Sequence, residues 1–506
     1  MALALVPWAY SLWRTPPHSD LLWLYEAFAR WMWGLDMADH IFEPNPPLSL
    51  FTYAPVYFAS ALTGLPVGFG LLAYVLLLVG LSAWAIHIIM IRLLGNDSVL
   101  YAVPVVICFI LSQTMATLAL YGERDQIVAL GLIPFVLLQY AGMKGHKFAR
   151  GFERTIWMLG TFCILLKPHY GLLPAALIAS RIWMARDIRA AFKNDFFFLV
   201  GGVGLYALLL LFVFRDYIVT IFPDVVRFYL PDREAHLGKA CLAFALPLLA
   251  VLVFIHKKMP AGIVATLAQL LLGGALLGLV PYYVQGKGFY YHLLPSLSFL
   301  FMALGLVASF YLKHEVKKEH TISYLVLGAG LVLGFLFFPL NFKLPDSKAY
   351  QTFPLTAEIE KSCTGQPSCS FMMFNDNMGI VHETAYVTGY IHASRFPAYW
   401  FLPRLLDLKT SNPAAFEKSK ASYAERVADD LSYYKPRLLV IGRFRIEGDD
   451  FFDFPSFWEG NTRFDEEWVH YEHQGALTLS YETYYPDTLA ASEIPVTYDL
   501  YRRRDE

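Results

Sequence analysis

The sequence predicts a polytopic α-helical membrane protein with a C-terminal extracytoplasmic α/β domain, and three observations carry that prediction. First, hydrophobic residues make up 57% of the 506 positions and charged residues 16%, against about 25% charged in a soluble globular chain. Second, the shortage of charge is confined to one part. Residues 1–340 hold 40 charged residues, about 12%, whereas residues 341–506 hold 42, about 25%, the ordinary soluble share. Third, the net charge of −2 conceals a split of +6 before residue 341 and −8 after it. A single soluble enzyme, a disordered chain and a nucleic-acid binder with a basic face are thereby excluded. The predicted organisation is a transmembrane region over 1–340, with a first outer loop at 14–50, and a soluble extracytoplasmic domain over 341–506.

Apolar runs of roughly 17–25 residues cross a bilayer as helices. They occur at 66–91, 99–121, 126–142, 155–171, 172–186, 196–215, 240–256, 262–283, 290–312 and 321–340. The opening run Ala2 to Trp13 is short for a span, because helix rises about 1.5 Å per residue. It lacks the basic leader and cleavage site of a signal peptide. Counting it, about eleven spans with a cytoplasmic N-terminus fit the charge alternation. One set of connections, from Arg92 through Arg150, Arg181, Lys257 and Lys313, carries 14 basic and 6 acidic residues, and the opposite set carries 9 and 11. The positive-inside rule makes the first set cytoplasmic. The C-terminal domain then follows an outward-ending span.

In that domain, 355–362 reads as a helix, 370–374 as a short buried strand and 415–434 as an amphipathic helix. Pro436 stops the second helix and leads into a buried strand at 438–442. Alternating helix and strand indicates a small α/β domain. The Asp449–Asp453 acidic stretch reads as a solvated loop. Cys363 and Cys369 have a spacing compatible with a small disulfide loop, which requires an oxidising compartment. Cys108, Cys163 and Cys241 lie in apolar runs as small hydrophobes.

Ionisable groups at a membrane boundary are costly and need a reason, and here they gather on the predicted outer side. The first outer loop has His18-Ser19-Asp20, the amphipathic stretch Leu22 to Trp33, then Asp36, Asp39 and Glu43. The plain alternative is an interfacial anchor that Asp20 caps. A tight hairpin holds Glu123-Arg124-Asp125, which a polar turn would also explain. Lys167-Pro168-His169 ends a span, where a lysine also snorkels. Arg215, Asp216, Arg227, Asp232, Arg233, Glu234 and His236 form a longer loop. Gln285-Gly286-Lys287-Gly288 precedes Phe289-Tyr290-Tyr291-His292, and its glycines suit either close backbone approach to a ligand or a flexible turn. Jointly, carboxylates beside Arg124, Lys167, Arg215, Lys287 and His292 suit a hydroxyl nucleophile and a phosphate leaving group. A carboxylate accepts the proton and the cations stabilise the departing phosphate. An interfacial location points to a lipid phosphate.

These motifs resemble the polytopic GT-C glycosyltransferases, in the branch containing protein O-mannosyltransferases and the lipid A aminoarabinose transferase. An acidic residue after the first span, an interfacial helix and an Asn-Pro-Pro-Leu entry look like Asp20, Tyr25 to Arg30, and Asn45-Pro46-Pro47-Leu48. A Lys-Gly-Pro-x-Gly-Leu stretch is similar to Lys167-Pro168-His169-Tyr170-Gly171-Leu172, and a Tyr-x-Leu-Leu-Pro entry to Tyr291-His292-Leu293-Leu294-Pro295. The resemblance implies an inverting transfer from a polyprenyl-phosphate-linked sugar to a hydroxyl on a glycan, lipid or protein, at the extracytoplasmic face of the plasma (inner) membrane. It implies Asp20 as general base, with Asp36 and Asp39 as alternatives because Asp20 is followed by Leu21 rather than a second acid. It further implies Lys167, His169, Lys287, His292 and Arg124 on the donor phosphate, and Glu123, Asp125, Asp39 and Glu43 near sugar or acceptor. The sequence carries no metal motif, and a divalent cation stays open. The rival readings are a lipid or sugar transporter and a non-catalytic subunit of a glycosylation complex. Transporters place charges mid-span within paired repeats, whereas here they lie at one face with no repeat.

Overall fold

The computed structural model describes residues 16–95, 98–114, 117, 120–231, 233–314, 354–366, 369–375, 378, 380–443, 452–479 and 496–504. The expected spans at 2–13 and 321–340 and most of the 449–453 acidic stretch lie outside these residues. The chain forms two compact units, one of residues 1–10, 65–213 and 233–342, the other of residues 11–64, 214–232 and 343–506.

The first unit is helical. Among the described residues, six helices are long and apolar enough to cross a membrane, including Val67–Leu94, Arg124–Met143, Asn194–Phe212 and Ile263–Gln285. Three expected spans form shorter helices, Ser98–Thr114, Arg150–Leu166 and Leu172–Ala185. The break at Lys167 falls where the sequence placed it, because Pro168 cannot continue the preceding helix and opens a 3₁₀ turn, Pro168–Gly171. Helix Arg124–Met143 is buried along nearly its whole length, as expected of an all-round apolar helix at a bundle centre. Its neighbour Arg150–Leu166 approaches closely through small residues. A side chain at Gly131 would collide with Cys163, and one at Gly160 with Phe135. Helices Asn194–Phe212 and Leu237–Lys258 instead expose apolar side chains, with Leu211 57% and Leu242 61% exposed, a surface that lipid covers without penalty.

The second unit carries a five-stranded sheet. Strands β1 (Ser370–Phe374), β2 (Ile391–His392), β3 (Leu438–Arg443), β4 (Tyr471–Leu479) and β5 (Val496–Arg503) run in the order β2-β1-β3-β5-β4. β1 pairs in parallel with β2 and β3, and β5 is antiparallel to both β3 and β4. The buried runs of β1 and β3 are what a parallel strand covered on both faces requires. Phe371, Met373, Val440 and Tyr498 pack with Leu355, Ile359 and Cys363 in one core. Helix Pro413–Tyr434 extends two residues upstream of its expected start. Asn412 accepts from the Ala415 amide at 3.1 Å, Pro413 occupies the first turn, and Lys435 turns left-handed (φ 46°) before Pro436. The Cys363–Cys369 disulfide is formed. Three further strands, β2, β4 and β5, were not expected from the sequence.

The amphipathic stretch forms helix Ser19–Met32. Its N-cap is His18, so Asp20 does not cap it; Asp20 lies within the first turn, where a negative charge still favours the helix dipole.

Candidate active site

In the first unit, the ends of four helices bring together residues that are far apart in sequence. Asp125 sits in the first turn of Arg124–Met143, and Lys167 directly follows Arg150–Leu166. Both placements suit the helix dipole, with an anion at an N-terminus and a cation at a C-terminus. Lys167 Nζ lies 2.5 Å from Asp125 Oδ2 and 2.6 Å from Gln285 Oε1. The Tyr170 hydroxyl, presented by the 3₁₀ turn after Lys167, is 2.9 Å from Asp125 Oδ1 and 3.0 Å from the His292 carbonyl. His292 Nε2 stands 3.8 Å from Asp125 Oδ2. Asp125, Lys167, Tyr170 and His292 are all buried. In such a setting a charge is tolerated only when paired.

The turn that delivers Asp125 is fixed by its own polar contacts. Gly122 is left-handed (φ 82°) and donates its amide to Gln126 Oε1, and Gln126 Nε2 donates to the Gln113 carbonyl. Glu123 and Arg124 are buried at the head of the same helix. His169 lies against the Tyr170 ring, with centroids 5.0 Å apart. Tyr291 adds an aromatic face 5.9 Å from Lys167 Nζ.

The glycines beside Lys287 form a turn packed against the 233–234 segment. Gly286 and Gly288 are left-handed (φ 78° and 70°). The Glu234 amide donates to the Gly286 carbonyl at 2.8 Å, and a side chain at Gly288 would lie 2.9 Å from Glu234 Cγ. The 233–234 segment packs closely against both glycines.

The remaining expected residues belong to the second unit. Glu43 is buried and accepts from Trp23 Nε1 at 2.5 Å and from the Asn45 amide at 2.7 Å, and also from Asn45 Nδ2. It thereby ties the 41–45 stretch to helix Ser19–Met32. Asp39 pairs with Arg395 at 3.4 Å. Asp20 is partly exposed, and the preceding Ser19 hydroxyl is hydrogen-bonded to Glu383. Burial raises the Glu383 carboxyl above its usual range.

The sequence assigns roles to Asp125, Lys167 and His292, and names Tyr170 and Gln285 only as members of motifs, with no role. Tyr170 lay inside a quoted motif, three residues after Lys167, which is one turn in a 3₁₀ segment. The sequence likewise assigns no role to Arg30, which is 1% exposed. Its guanidinium donates to the carbonyls of His40, Ser394 and His392 and pairs with Glu26 at 2.5 Å.

No family model matches the chain, and no curated protein matches it. Among solved structures, it is similar to ArnT from Cupriavidus metallidurans bound to undecaprenyl phosphate, with a TM-score of 0.52 and 13% identity over 98% of this chain and 96% of that one. The apo form of the same ArnT gives a TM-score of 0.39 at 13% identity, covering 87% and 91%. At such identity the likeness to the first structure establishes the fold. The chain therefore has the GT-C fold that its motifs resemble, shared with ArnT over nearly its whole length.

Proposed function

We propose that this protein is a membrane glycosyltransferase that moves a sugar from a polyprenyl-phosphate donor to a hydroxyl acceptor. The single observation that supports this reading most is the buried Lys167 cation, held at the ends of converging helices beside Asp125, Tyr170 and His292. It occurs in a chain that shares the fold of an undecaprenyl-phosphate-bound protein.

Lys167 and the neighbouring Arg124, His169 and His292 carry the donor phosphate, and Lys287 assists. Asp125 and Gln285 hold the ammonium in place while the site is empty, and a phosphate of higher charge competes for it. Asp20 accepts the proton of the acceptor hydroxyl. The hydroxyl oxygen bonds to the anomeric carbon as the bond from that carbon to the phosphate oxygen breaks. The electron pair leaves with the polyprenyl phosphate, and the anomeric configuration inverts. The cations stabilise the charge that develops on the leaving group. Reaction takes place at the extracytoplasmic face of the plasma (inner) membrane.

The test incubates the purified protein, in nanodiscs, with a radiolabelled polyprenyl-phosphate sugar and a hydroxyl acceptor. Transfer or slow hydrolysis is expected, and Asp20→Asn should lower the rate by about 10²–10⁴ with expression and insertion unchanged. An inert wild-type protein, or full turnover by Asp20→Asn, would remove the corresponding part of this reading. Uptake of the lipid by sealed vesicles without transfer would replace it with transport.

A further inference from the structure

The second unit contains a cavity of about 370 Å³ lined by Asp39, His40, Arg395, Asp429, Tyr433 and Arg463, among others. This is within the range of small-molecule sites, about 300–1,000 Å³. The role proposed for the Lys167 cluster does not use it.

Arg395 is its organising residue. The side chain is 4% exposed, and its Nε is fixed at 2.8 Å on Asp430 Oδ1, with Asp430 itself buried beneath the cavity. Asp430 Oδ2 also receives the Arg395 amide at 2.9 Å. The other end of the guanidinium is held loosely. One terminal nitrogen reaches Asp39 Oδ1 at 3.4 Å and the Ala38 carbonyl at 3.5 Å, and the other reaches Asp429 Oδ2 at 3.7 Å. Charge-assisted bonds between such groups are ordinarily about 2.7–2.9 Å. The guanidinium is thus fixed on its inner side and keeps donor capacity toward the cavity.

The rest of the wall supplies acceptors and a flat apolar face. The Asp39 and Asp429 side chains are 68% and 38% exposed, and Asp429 also pairs with Arg463 at 2.6 Å. Tyr433 is 59% exposed, and the His40 ring lies 4.6 Å from it, centroid to centroid. Asp39, Asp429 and Asp430 outnumber Arg395 and Arg463. That balance opposes a phosphate, a carboxylate or an acidic sugar.

We propose that this cavity is a binding pocket for a neutral saccharide. Vicinal hydroxyls are donated to the Asp39 and Asp429 carboxylates and accept from the Arg395 and Arg463 guanidiniums, while the sugar's C–H face lies on the Tyr433 ring. The source of the sugar is either a free monosaccharide or a residue of a glycan chain. Binding here needs no lipid donor, so the proposal does not rest on glycosyl transfer.

The experiment is saturation-transfer NMR and calorimetry on the full-length protein in nanodiscs, without donor. The probes are methyl α-mannopyranoside, methyl β-galactopyranoside, a linear neutral mannotetraose, galacturonic acid and inorganic phosphate. At least one neutral probe is expected to bind. Tyr433→Ala should weaken it about fivefold, and Asp39→Asn about tenfold. Both side chains are exposed enough for the variants to fold, which a thermal melt matching wild type checks. Tighter binding of the tetraose identifies a glycan chain as the ligand, and equal affinity identifies a monosaccharide. The proposal is overturned if no neutral probe binds, if galacturonic acid or phosphate binds more tightly than the neutral sugars, or if both variants bind like wild type.

Discussion

Two buried cations, one in each unit, are held in opposite ways. Lys167 is bound by side chains, Asp125 and Gln285. Arg30 is bound mainly by main chain, donating to the carbonyls of His40, Ser394 and His392 at 2.6–3.0 Å with Glu26 as its charge partner. Carbonyls of a folded loop are displaced only by moving the backbone, whereas a side chain yields by changing rotamer. Arg30 is thus built as a permanent rivet between helix Ser19–Met32 and the 391–395 segment. Lys167 is held by side chains that can turn away from it without moving the backbone. The lesson is that the identity of a charge's partners separates a structural ion pair from a candidate ligand site better than burial does, since both residues are buried.

The widest separation between the two cations is expected from removing each. Lys167→Ala should reduce transfer by at least about a hundredfold and destabilise the first unit by about 3–5 kcal/mol, because it strands a buried carboxylate. Lys167→Ala combined with Asp125→Ala should recover most of that stability and none of the transfer. Recovered transfer in the double variant would show that Lys167 acts only on Asp125. Arg30→Ala should lower stability by about 3 kcal/mol, seen as faster thermal inactivation, while turnover per folded molecule is retained.

A pH profile sharpens the contrast within the second unit. Burial would raise the Glu26 carboxyl, but the Arg30 charge and the His382 ring, 3.6 Å away, outweigh it and hold the carboxyl at about 2, with His392 adding a further favourable charge. A depressed acid stabilises above its ordinary range, and that stability is lost as pH falls from about 4.5 toward 2, worth about 3 kcal/mol. Asp430 goes the other way. Burial lifts it to about 6 despite Arg395 and Arg30. Its contribution is therefore present below the ordinary value of 3.8 and lost as pH rises through 6, again about 3 kcal/mol. Denaturation midpoints of Glu26→Gln should flatten the acid limb, and those of Asp430→Asn the limb between about pH 4 and 6. Coincident profiles would contradict the opposed shifts. The smallest expected effect is from Cys363→Ser with Cys369→Ser. Opening so short a loop should cost about 2 kcal/mol and leave saccharide binding unchanged.

Much of the architecture was legible because its signals are local. Pro168 after Lys167, Pro436 after Lys435, and the unbroken apolar runs of β1 and β3 each identify an element from a few neighbouring residues. β2, only two residues long, and β4 and β5 were not legible. β4 alternates charged, polar and apolar residues and carries a bulge between His473 and Gly475, so its period is broken. Its partner β5 ends in a charged run. Within the candidate site, Asp125, Lys167 and His292 stood out as charges at span ends. Tyr170 and Gln285 were named in motifs but given no role, since an uncharged residue beside an apolar run carries no role until its partner is known.

The sequence by itself determined that the chain has an apolar helical part and a charge-normal mixed part, and where prolines such as Pro168 and Pro436 break or end its helices. Those outcomes depend on composition and on interactions within a few residues. Only the tertiary structure decided that Asp125, Lys167, Gln285 and His292 form one cluster, and that Glu43 serves a loop. It also decided that the Gly286 and Gly288 turn accommodates the 233–234 segment. Such pairings join residues up to 167 positions apart, and no local propensity encodes which of several buried charges will meet. The choice is made when helix packing brings each buried charge against the few groups that offset its desolvation.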